Sequence, residues 1–102
     1  MAKPYYAEYV NHILRFYFRY NPSKGFKNEV DKINYISADK VIQRMSDADK
    51  TVLSSLFGTD DNGFDLAYNV LVFARQHGVD QAKIWSLVST TTTKIAKERK
   101  LL

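Results

Sequence analysis

Phe73-Ala74-Arg75-Gln76-His77-Gly78-Val79-Asp80-Gln81-Ala82-Lys83-Ile84-Trp85-Ser86-Leu87 reads as two helices joined by a tight turn. Gly78 carries no Cβ, so it can take the left-handed backbone conformation that ends a helix. Asp80 follows as a candidate N-cap, with a carboxylate able to accept from the free N–H groups that open the next helix. Ala74 stands four residues before the glycine, where a small side chain lets the second helix approach closely. Phe73, Val79, Ile84 and Leu87 flank the corner with apolar groups.

Working upstream, Thr59-Asp60-Asp61-Asn62-Gly63-Phe64-Asp65 reads as an acidic turn capping a helix that runs from Phe64 to His77, with Leu66, Ala67, Val70, Leu71 and Ala74 inward. Asp60, Asn62 and Gly63 match part of a calcium loop, but Asn69 stands where that loop needs its bidentate Glu, so calcium is rejected. Before the turn, Ser46-Asp47-Ala48-Asp49 matches a capping box and opens a helix of about 11 residues, an ordinary length. That helix buries Val52, Leu53, Leu56 and Phe57 and ends at Gly58.

Residues 28–45 form a looser helix with a stripe of Val30, Ile33, Ile36 or Ser37, Val41 and Met45, and leave room for a break at Tyr35-Ile36-Ser37. Residues 21–27 are a solvated loop. Residues 5–20 form a helix whose stripe is Tyr6, Tyr9, Val10, Ile13, Leu14 and Tyr17, stopped by Asn21-Pro22. Phe16, Phe18 and Tyr20 fall off that stripe. Either this helix is buried centrally, or these three rings meet a partner chain.

The chain is therefore expected to be all-α, with about five helices in a single domain over residues 1–102. An N-terminal helical pair (5–45) precedes the portion containing the turn (46–102). There is no Cys, which excludes a disulfide scaffold, Cys-based zinc sites and thiol catalysis. No apolar run approaches the roughly 20 residues of a membrane span, and no signal-peptide core is present, so a cytoplasmic protein with no membrane partner is expected. No Ser/His/Asp arrangement, metal-ligand cluster or nucleotide loop appears, and Asp60 and Asp61 have no implied pocket to shift them. No enzymatic role and no cofactor are expected.

Charge is unevenly spread along the chain. Residues 1–27 carry five Lys/Arg and one acid, residues 28–65 four and eight, and residues 66–102 six and two. Basic ends flank an acidic middle, and clustered positive charge is the electrostatic footprint of a phosphate-binding surface. The last helix, expected from Asp80 to Arg99, buries Ile84, Leu87, Val88, Thr91 and Ile95 in this reading. Lys94, Lys97, Arg99 and Lys100 then crowd its end, where they also suit the helix dipole. Thr90 to Thr93 are four β-branched residues in a row, so this helix needs tertiary packing to hold it.

From Ser46 onward the chain resembles the promoter-reading helix-turn-helix of sigma-70-type factors and the small phage regulators built on it. The capped Ser46–Asp49 start, the Val52-Leu53-Leu56-Phe57 face, the Ala74, Gly78 and Val79 turn and the buried Ile84 carry the resemblance. The chain departs from that pattern at Val72, His77, Trp85 and Ser86. Residues 5–20 also resemble the opening of small bacterial proteins, some carried on mobile elements. The resemblance implies a DNA-binding transcriptional regulator. Gln81, Lys83, Trp85, Ser86 and Ser89 would then face base edges or nearby backbone, while Lys94, Lys97, Arg99 and Lys100 meet phosphate. The partners implied are double-stranded DNA, a second copy as a homodimer, and RNA polymerase. The alternative is a non-catalytic helical interaction module joined through Phe16, Phe18 and Tyr20, in which the turn is only scaffold.

Overall fold

The computed structural model describes residues 5–58 and 64–101. Among these are five helices and no strand: α1 (Ala7–Phe18), α2 (Glu29–Ile42), α3 (Asp47–Phe57), α4 (Leu66–His77) and α5 (Gln81–Glu98). The acidic turn Thr59–Gly63, and with it the calcium question, lies outside the described residues.

Local chemistry sets most of the boundaries. Asn28, Ser46, Asp65 and Asp80 each stand at an N-cap, and each side chain accepts from a backbone N–H of the following turn. In the expected capping box, the Ser46 hydroxyl accepts from the Asp49 N–H at 3.2 Å. At the other end of α4, Gly78 has φ 63° and ψ 35°. The Val79 N–H then returns to the Ala74 carbonyl, the closing bond of a Schellman end. The same device ends α5, where the Leu101 N–H reaches the Ala96 carbonyl and Lys100 takes the left-handed position at φ 59°. Lysine performs there what glycine performs at 78, at some conformational cost.

One core runs through all five helices. Val10, Ile13 and Leu14 of α1, Leu53, Leu56 and Phe57 of α3, Val70 of α4 and Ile95 of α5 are fully buried. Helix α5 packs against each of the other four. Past the end of α3, position 58 has room only for glycine: a Cβ there would lie 2.7 Å from the Ser54 carbonyl oxygen.

The structure revises the expected faces in four places. In α2, which is continuous, the buried residues are Asn34, Ser37, Ala38, Val41 and Ile42, while Val30, Ile33 and Ile36 point out. The reason is the polar partnership of Asn34. Its amide is paired with the Tyr9 hydroxyl in both directions, at 3.1 and 3.2 Å, and its Oδ1 accepts from Arg99 Nε at 2.6 Å. In α4, Ala67 is exposed, and Val79 after the turn is also largely open. In α5, Thr92 and Ala96 join the buried set, and Leu87 is only partly covered.

The threonine run also finds its explanation. Thr91 and Thr92 are buried with their hydroxyls donating back to the Leu87 and Ser89 carbonyls at 2.7 and 3.0 Å. Thr93 meets the Tyr6 hydroxyl at 3.3 Å. A buried hydroxyl bonded to its own helix leaves no orphan polar group, so small β-branched side chains can pack where α5 crosses the core.

Candidate nucleic-acid interface

Helices α4 and α5 are joined by only Gly78, Val79 and Asp80. Asp80 Oδ1 accepts from the Ala82 N–H at 3.0 Å, and Gly78 reverses the chain. His77, beside the turn, lies against Phe73 with ring centroids 4.3 Å apart. A short fixed turn of this kind leaves the second helix with one face on the core and one face outward.

On α5 the inner face is set by Ile84, Val88, Thr91, Thr92, Ile95 and Ala96. At 3.6 residues per turn the opposite side carries Lys83, Ser86, Thr90, Lys94 and Lys97, all exposed. These five residues make a stripe roughly 21 Å long at 1.5 Å per residue. Three carry positive charge and two carry hydroxyls. Thr90, which the sequence reading left without a role, belongs to this stripe; its spacing from Ser86 and Lys94 would have placed it there.

The expected contact residues therefore divide. Lys83, Ser86, Lys94 and Lys97 share the outer stripe, whereas Gln81, exposed in the first turn, lies in register with Ile84 and Val88 on the opposite side of the helix. Trp85 and Ser89 instead turn toward a cleft of about 650 Å³ between α1, the lead-in to α4 and α5. Arg99 is engaged internally: besides Asn34, its Nη2 donates to the Tyr9 hydroxyl at 3.4 Å. A guanidinium held this way is a clasp among α1, α2 and α5, so it is removed from the phosphate-contact set. Lys100 is exposed beyond the end of α5.

The Arg99 clasp has an electrostatic consequence for Tyr9. Burial alone would push the Tyr9 hydroxyl up, but the bonds with Asn34 and Arg99 and the Arg99 charge together bring it below its ordinary value. Toward the other end of α1, burial first, and then the Asp39 carboxylate that accepts from it at 2.7 Å, push Tyr17 upward.

Phe16 and Tyr20, expected to seek a partner chain, find rings within their own. Tyr35 is the hub, with centroids 4.6 Å from Tyr20, 5.5 Å from Phe26 and 6.5 Å from Phe16. Tyr20 stacks on Phe26 at 4.9 Å. Phe18 packs against the core beside Gly58. Among the described residues, no group of three or more His, Cys, Asp or Glu could hold a metal ion, and no helix is long and apolar enough to cross a membrane.

Compared with known proteins, the chain matches no family model, no curated protein and no solved structure.

Proposed function

We propose that the chain is a DNA-binding transcriptional regulator whose α4–turn–α5 unit acts as a helix-turn-helix. The observation that carries this reading is the open stripe of Lys83, Ser86, Thr90, Lys94 and Lys97 on the helix that follows the three-residue turn. A helix entering the major groove needs one free face with side chains able to reach base edges, and cations placed to meet phosphate. Ser86 and Thr90 supply the first. Serine and threonine hydroxyls can donate or accept. Lys94 and Lys97 supply the second, farther along the helix, and Lys83 adds a third cation near the turn. Three lysines give modest affinity for one copy, so a second copy on a paired half-site, or RNA polymerase, supplies the remainder.

A salt titration of binding to duplex DNA tests the reading. The logarithm of affinity should fall with the logarithm of salt at roughly 0.9 per phosphate neutralised. Replacing Lys94 and Lys97 by Ala should flatten that slope by about 2, while replacing Arg99 should leave it unchanged in molecules that remain folded. Absence of binding at low salt ends the proposal.

A second reading, a helical interaction module that dimerises, draws on a different surface. Val30, Ile33 and Ile36 are 52%, 45% and 42% exposed on one helix. Three open aliphatic side chains together exceed the scatter of single apolar residues on ordinary surfaces. Light scattering decides it. A dimer dissociated by Ile33→Glu supports it, and a monomer at every concentration removes it.

A further inference from the structure

Helix α2 buries the polar Asn34 and Ser37 and leaves Ile33 and Ile36 open to solvent. Its inner face packs on α1 and α5, so its opposite face looks outward. At roughly 100° per residue, Glu29, Ile33, Ile36 and Lys40 fall within a sector of about 60° on that outer face. All four are exposed. Their steps of four, three and four residues are those of a coiled-coil seam. The seam also has an order: acid, aliphatic, aliphatic, base. Taken from the other end it runs base, aliphatic, aliphatic, acid.

We infer that two copies of the chain pair their α2 helices antiparallel, about a two-fold axis that passes between Ile33 and Ile36. Ile33 of each copy then packs on Ile36 of the other, and Glu29 of each meets Lys40 of the other at the two ends of the seam. A two-fold interface must be complementary to itself, and this order of side chains is. A parallel pair would set Glu29 against Glu29 and Lys40 against Lys40, an arrangement the charges oppose. Pairing also takes from water the two isoleucines that the fold leaves there. A seam of about three turns is small against the roughly 1,200–2,000 Å² of specific, stable interfaces, so the pair is weak and reversible. The inference rests on the dimerising reading above and adds to it the seam, the direction and the charged contacts that set that direction.

Sedimentation equilibrium over a wide concentration range tests the pairing, with the two charges reversed singly and together. Glu29→Lys alone puts two like-charge contacts into the pair, and so does Lys40→Glu alone. Each should weaken self-association about tenfold, the sum over two exposed contacts turned from attraction to repulsion. An equimolar mixture of the two single variants should associate again, because both charged contacts between unlike chains are then attractive. The double variant, with both charges reversed in one chain, should recover self-association. A variant that merely misfolds cannot produce these recoveries. All the differences should shrink in high salt, since the contacts are exposed. Single variants that associate as tightly as the unaltered chain overturn the inference and leave a dimer of another geometry. So does a double variant that fails to recover. A monomer at every concentration overturns it together with the dimerising reading.

Discussion

From Gln81 to Ser89, α5 buries only Ile84 and Val88, whereas from Thr90 to Glu98 it buries Thr91, Thr92, Ile95 and Ala96. The first half leans on its neighbours along a narrow seam and shows solvent the rest of its circumference. The second half crosses the centre of the molecule, and the Arg99 clasp to Asn34 and Tyr9 follows directly after it. One helix thus serves as both surface and keystone. Changes on the outer stripe, in either half, should alter what the protein touches, and changes at the buried positions of the second half whether it folds.

The comparison breaks most visibly at Ile95, which is fully buried. Ile95→Ala should cost about 2–5 kcal/mol in urea unfolding, as large-to-small core changes do. Ser86→Ala, on the outer stripe, should stay within about 0.5 kcal/mol. Next comes the clasp. Arg99→Ala leaves the buried Asn34 with Tyr9 alone and should cost about 1.5–3 kcal/mol, the range for a hydrogen bond to a charged group. A phosphate-contacting arginine would instead change DNA affinity and spare stability. At the hinge between α4 and the free half of α5, Gly78→Ala forces a Cβ into the left-handed region and should cost about 1–2 kcal/mol. Lys100 occupies the same region after the packed half, and Lys100→Gly should raise stability by about 0.5–1 kcal/mol by relieving that strain.

The smallest effect is one of pH. Tyr17 is held protonated in the folded chain beyond its ordinary value of 10.0, so its contribution is complete below that value and drains away as pH rises through the folded value. Tyr9, held down by its Asn34 and Arg99 partners, works in the opposite sense and gains as pH rises. Stability should therefore fall above pH 10, less steeply in Tyr17→Phe and more steeply in Tyr9→Phe, as thermal melts across the alkaline range would show.

The helices and their caps were legible because those signals are local. Ser46, Gly78 and Asp80 act on backbone groups within five residues of themselves. The faces of α1 and α3 were legible because aliphatic residues recur there at helical spacing. The face of α2 was not. Its aliphatic residues Val30, Ile33 and Ile36 trace one stripe, but burial follows Asn34 and Ser37, and the Asn34 partner Arg99 lies 65 positions away. The candidate interface was half legible for the same reason. Spacing placed residues on α5, but which side met the core depended on Thr92 and Ala96, whose burial turned Trp85 and Ser89 toward the cleft. Arg99 looked like a free cation because nothing nearby in the chain shows that Asn34 and Tyr9 await it.

The Tyr5 hydroxyl donates to the Leu101 carbonyl, across 96 positions. Residues 5 and 101 therefore lie side by side. A few residues linking them would join α5 to α1, and a break opened in the exposed segment 21–27 would interrupt no helix. Such a permuted molecule would make α1 and α5 neighbours in sequence as they already are in space. The α1–α5 seam, which now spans the longest stretch of chain, would then close across one of the shortest.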